Sequence, residues 1–111
     1  MSSKPSDPRQ PLFSTFKDDP DMTELVQAFV AELPERLATL QQSLDSGDLA
    51  SVMRQIHQLR GSGGGYGFDP ISDAAAKIED AHRARPEAQR SLASIHAEVD
   101  HLIELCRRAS N

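Results

Sequence analysis

From Met22 to the end of the chain, apolar residues return at steps of three and four, and this spacing constrains the fold more than any other feature. Met22, Val26, Phe29, Leu33, Leu37, Leu40 and Leu44 share one helical stripe. Pro34 falls inside it and removes one backbone hydrogen bond, yet the apolar phase survives. One kinked helix or two closely stacked helices satisfy the pattern equally. Ser46-Gly47-Asp48 then reads as a stop and a start, with Gly47 just past one helix and Asp48 capping the next. Leu49, Val52, Met53, Ile56 and Leu59 form the second stripe. Asp69-Pro70 opens a third helix, with an N-cap acid followed by proline at the first helical position. That helix is alanine-rich, with Ile71 and Ile78 on its inner side. Pro86 opens a last helix whose Leu92, Ile95, Val99, Leu102 and Cys106 alternate three and four, a bundle-type seam. No segment alternates as a strand does, and there is no internal repeat. The pattern predicts an all-α fold, an antiparallel up-and-down four-helix bundle with an additional N-terminal helix.

The residues before this region behave differently. Four of the seven prolines (Pro5, Pro8, Pro11 and Pro20) fall within the first 20 positions. Residues 1–20 are therefore expected to form a flexible leader, with Leu12, Phe13 and Phe16 available to dock on the folded body. Residues 21–108 would be the helical domain and 109–111 a tail. At 111 residues the chain is one domain on length alone. No apolar run approaches the roughly 20 residues of a membrane span, and the N-terminus lacks a secretory signal's apolar core. A single cysteine, Cys106, forms no internal disulfide, which agrees with a reducing compartment. The expected location is cytoplasmic, with no membrane partner. A net charge of −5 and five aromatic residues, none of them tryptophan, argue against nucleic acid as a partner.

The chemically informative run is His57-Gln58-Leu59-Arg60-Gly61-Ser62-Gly63-Gly64-Gly65-Tyr66-Gly67-Phe68. At about 100° per residue, His57 projects about 100° from the centre of its helix's apolar stripe, on the flank of the core. One turn on, Arg60 and Gly61 bracket it. A fixed positive charge and cleared side chains suit a nucleophile approached by something large. The five glycines of the run would cost roughly 5 kcal/mol inside a helix, against about 5–15 kcal/mol for a whole domain. Either the helix ends near Arg60, or it continues and the small residues admit a close neighbour. Continuation is favoured, because Tyr66 and Phe68 lead straight into the Asp69-Pro70 start. A nucleotide cradle is disfavoured: no G-x-G-x-x-G match survives, no G-K-[ST] follows and no strand precedes.

His-Gln-Leu-Arg-Gly-Ser, with a later glycine, resembles the signature of the histidine-containing phosphotransfer (HPt) domain family. His57, Arg60, Gly61, Ser62 and Gly67 fill its places, and the similarity extends over about residues 22–108. Arginine stands where lysine is commoner, which keeps the charge and changes the geometry. The resemblance implies a phosphoryl carrier rather than an autonomous enzyme. His57 would be the phosphorylated nucleophile, Arg60 would balance charge and Gly61 would leave steric clearance. Glu79, on the next helix, would orient the imidazole, as an acid does in chemotaxis-kinase relatives. The implied partners are response-regulator receiver domains and a hybrid or separate histidine kinase. Mg²⁺ is expected on the receiver, and no cofactor on this chain. The imidazole suits the task, since its neutral form has a free nitrogen for attack.

Two other readings compete: a phospho-acceptor domain serving a chemotaxis-type histidine kinase, and a non-phosphorylated helical docking protein. The remaining candidates read as bland. His96 and His101 are five apart, off the spacing of a helical metal pair, with no nearby acid or cysteine to complete a set, and they and His82 read as surface histidines. Cys106 reads as core filler and Arg54 as a solvated face residue.

Overall fold

The computed structural model describes residues 10–110. Among them are four α-helices: α1 (Thr23–Asp45), α2 (Leu49–Gly65), α3 (Asp69–Ala84) and α4 (His96–Arg108). Their inner faces meet in one core built from Val26, Phe29, Leu33 and Leu40, then Val52, Ile56 and Leu59, then Ile71, Ala75 and Ile78, with Val99 and Leu102 closing it. These are the residues at three-and-four spacing. α1 touches α2 and α4, and α3 touches the same two helices.

α1 runs unbroken through Pro34, which sits on the exposed side. The helix loses one backbone bond there but keeps its buried stripe, so the single-helix alternative applies. Gly47 ends the first connection at φ +72°, and the Asp48 carboxylate accepts a hydrogen bond from Ser51 N at 3.1 Å to cap α2. α2 continues through Gly65. Its end is closed by Tyr66 N to Ser62 O (3.0 Å) and Phe68 N to Gly63 O (2.7 Å), with Gly67 at φ +84°. Tyr66 and Phe68 then fold over Phe29, with ring centroids 5.0 and 5.6 Å away.

The small residues let α2 and α3 approach closely. A Cβ on Gly63 would lie 3.0 Å from Ile71 Cγ2, and one on Gly64 would lie 3.3 Å from Ser72 Oγ. The Ser72 hydroxyl donates to Arg60 O at 2.7 Å and joins the two backbones. The register between the histidine-bearing helix and its neighbour is therefore fixed by packing and by a hydrogen bond.

Four expectations need correction. The last helix begins at His96 instead of Pro86. Residues 87–89 and 93–95 are short 3₁₀ turns, because Ser91 and Ser94 exchange side-chain and backbone hydrogen bonds and Arg90 donates to the carbonyls of Arg83 and Arg85. The N-cap of α3 is Phe68; Asp69 is already helical and makes no capping bond. No additional N-terminal helix occurs among the described residues. Finally, residues 10–20 form a strap against the bundle, where the proline pattern predicts a flexible leader. Residues 1–9 and Asn111 lie outside the described residues.

In the strap, Leu12–Phe13 (β1) pairs in parallel with Ala109–Ser110 (β2), part of the expected tail. Ser14 is buried and its hydroxyl donates to Tyr66 O at 2.6 Å, while Thr15 N donates to Gly67 O at 2.8 Å. Leu12 and Phe16 pack against the core; Phe13 is exposed, with the Lys17 ammonium over its ring. Extended backbone with polar groups met by a turn replaces the helix that proline forbids.

Candidate functional site

α2 carries His57 on its flank, beside the buried Ile56. The imidazole side chain is 73% exposed. From α3, Glu79 reaches back with a side chain only 9% exposed. Its Oε2 lies 2.9 Å from His57 Nδ1, and its Oε1 accepts from Arg60 Nη1 at 3.0 Å. One carboxylate thus holds two polar side chains of the neighbouring helix. His57 and Arg60 are one turn apart, and Glu79 sits one residue past the core Ile78, so the α2–α3 contact aligns all three.

Burial is the largest single influence on Glu79 and opposes its ionisation. The hydrogen bonds from Arg60 and His57, with the charges of both, outweigh it and hold the carboxyl below its ordinary range. An ionised carboxylate only accepts hydrogen bonds, so the proton between the two groups belongs to His57 Nδ1. In the neutral ring this leaves the lone pair on Nε2, the nitrogen needed for attack on an electrophile. The charge pattern and geometry agree on one tautomer.

The surroundings are open. A Cβ built on Gly61 or Gly65 would meet nothing within 4 Å. The Arg60 side chain is 42% exposed. Of the four expected site residues, His57, Arg60 and Glu79 are joined by hydrogen bonds, and Gly61 lies beside them without contact. Arg54, one turn before His57, donates to Ser51 Oγ at 2.9 Å. Sequence reasoning missed Ser72. Its only signal is a hydroxyl in an alanine-rich helix, which has no meaning until Arg60 O is known to face it.

The other histidines stand apart from this cluster. His82 is half-buried; burial first, then Arg90 and Arg83, push its pKa down. His96 Nδ1 lies 3.4 Å from Asp100 Oδ2 on the surface, and His101 is exposed. Among the described residues, no group of three histidine, cysteine or acidic side chains could hold a metal ion. Cys106 is buried, and burial pushes its thiol up to about 12. Among the described residues no helix is long and apolar enough to cross a membrane.

A protein-family model, that of the Hpt domain, matches residues 24–108. The chain belongs to the Hpt domain family. The matched segment takes in all four helices of this Hpt domain and leaves out the strap. Hpt domains are histidine-containing phosphocarrier modules of two-component phosphorelays, and they interact with receiver domains and kinases. No curated protein and no solved structure matches the chain.

Proposed function

We propose that this Hpt domain accepts a phosphoryl group on His57 Nε2 from the aspartyl phosphate of one receiver domain and passes it to the aspartate of another. The observation that carries the reading is the Glu79 carboxylate on Nδ1, which holds the ring in the tautomer with Nε2 free. In the forward step Nε2 forms a bond to phosphorus as the acyl phosphate P–O bond breaks, and the receiver's carboxylate leaves with the electron pair. The ring keeps its Nδ1 proton and becomes cationic, and Glu79 offsets that charge at 2.9 Å. Arg60 has two roles on this reading. It keeps Glu79 ionised in a buried position, and its exposed part balances the charge of the incoming phosphoryl group. Gly61 leaves clearance for the receiver's loops. The receiver brings Mg²⁺ and most of the catalytic groups, so this chain acts as a carrier in the cytoplasm.

The connections 46–48 and 66–68 are three residues each, which supports reading the helices as an antiparallel up-and-down bundle. One observation favours a second reading, with a chemotaxis-type histidine kinase as the donor: a buried acid on Nδ1 is the feature the resemblance ties to those kinases' acceptor domains. Incubation with phosphorylated receivers tests the first reading. The expected product is an acid-labile, base-stable phosphate on the chain that is lost in His57→Gln. No transfer from a broad panel of receivers, or transfer unaffected by His57→Gln, overturns it. Phosphorylation by a separate kinase core alone selects the second.

A further inference from the structure

Beside the His57 face, α1 and α2 diverge around a crevice of about 260 Å³. Its walls include Glu32, Glu35 and Arg36 of α1, and Gln55 and Gln58 of α2. Gln58 follows His57 directly, about 100° around the helix, and both are exposed. A protein docked over the imidazole therefore also reaches Gln58, on the wall of this crevice.

Two carboxylates, Glu32 and Glu35, line the crevice against one guanidinium, that of Arg36. Gln55 donates through Nε2 to Ser43 Oγ at 2.8 Å, but its Oε1 is buried and has no hydrogen-bond partner. A buried amide oxygen left without a donor is costly, so Gln55 Oε1 calls for a donor from water or from a docked group. Among the described residues the Glu35 carboxylate has no hydrogen bond or ion pair, and Glu32 has one long contact of 3.5 Å to Arg36. Arg36, the one fixed cation of the crevice among the described residues, is also engaged outside it: Nη1 donates to Ser62 Oγ at 3.2 Å and the guanidinium lies 5.7 Å from the Phe29 ring centroid. The lining thus offers a carboxylate and a buried amide oxygen that have no partner among the described residues.

We infer that this crevice receives a lysine or arginine side chain of the receiver domain that docks over His57, and so helps to select which receiver exchanges phosphoryl with this chain. The volume admits a long aliphatic stem, the carboxylates attract its cationic head, and its N–H groups supply the donor that Gln55 Oε1 lacks. The inference rests on the proposed exchange with receivers and adds a second, charge-reading contact beside the reacting nitrogen. Charges at the edge of an interface act mainly on encounter and on salt dependence. Their removal should therefore change the receiver concentration needed, leaving the chemical step alone.

The test is phosphotransfer measured against receiver concentration, at low and at high salt, for the full chain and for the variants Glu35→Lys, Gln55→Met and Glu87→Lys. Glu87 is exposed in the turn after α3, and its reversal changes net charge equally at a distance. Glu35→Lys should raise the half-saturating receiver concentration at least about 5-fold at low salt, by far less at high salt, with the saturated rate unchanged. Gln55→Met should raise it about 3-fold at both salts, and Glu87→Lys should not move it. Mutating the receiver's facing lysine or arginine to glutamate should restore the Glu35→Lys chain. If Glu35→Lys behaves as Glu87→Lys does while the unmodified chain transfers normally, the crevice holds water only. The inference then falls and the phosphotransfer function stands. If the unmodified chain exchanges with no receiver, both fall.

Discussion

Alanine at Gly61 and alanine at Gly67 should shift stability in opposite directions, although both glycines belong to the same run. Gly61 lies inside α2, and a Cβ there would meet nothing within 4 Å. Alanine is therefore expected to return the ordinary helix-interior advantage of about 1 kcal/mol, or about 4 °C in melting temperature. Gly67 has φ +84°, a conformation that costs an L residue about 1–2 kcal/mol. Its Cβ would also overlap Ser14 Oγ, Thr15 Oγ1 and the Phe16 ring. The strap must lift, releasing the bonds from Thr15 N to Gly67 O and from Ser14 Oγ to Tyr66 O, each worth about 1 kcal/mol. The expected loss is about 3–4 kcal/mol. Urea titration followed by circular dichroism measures both variants, and hydrogen exchange at the Thr15 amide reports whether the strap has lifted. A Gly67→Ala chain within 1 kcal/mol of the original would refute this account of the strap, as would a Gly61→Ala chain less stable than the original.

Glu79→Gln should flatten the acid limb of the stability profile. Because the folded carboxyl lies below its ordinary value of 4.5, its contribution is complete above that pH and disappears as pH falls through the depressed value. Melting temperatures taken from about pH 6 down to about pH 3 should fall less steeply in the variant, and parallel profiles would contradict the ionised, paired carboxylate. Cys106, with its thiol pushed up to about 12 by burial, should resist a thiol reagent in the native chain at pH 8 and react at once in denaturant; equal rates would show the site to be open.

The helices were legible wherever the residues making them also pack by them. Val52, Ile56 and Leu59 announce both α2 and its buried face, and Gly47-Asp48 announces the break before it. The 87–95 connection was not legible, because Leu92 and Ile95 do point inward at helical spacing while Ser91, Ser94 and Arg90 wind the backbone another way. The strap was legible only in the docking of Leu12 and Phe16, and its backbone path was not, for a different reason. Leu12 and Phe16 among prolines carry no period, and Ser14 is buried only because Tyr66, over fifty positions later, offers its hydroxyl a carbonyl and Gly67 offers a space without a side chain. At the site, the motif marks His57, Arg60 and Gly61 from one stretch of chain. The carboxylate that joins two of them comes from another helix, and local spacing says nothing about which acid on α3 faces inward.

The pairing of β1 with β2 brings together segments far apart in the chain; Arg108 Nε donates to Gln10 O at 2.9 Å across 98 positions. Among the described residues, closing so long a loop is entropically the least favourable contact, and a ladder of two residue pairs gives little in return. The ladder should therefore form last during folding and open first during native-state fluctuation, releasing residues 10–13 while the four helices stay assembled.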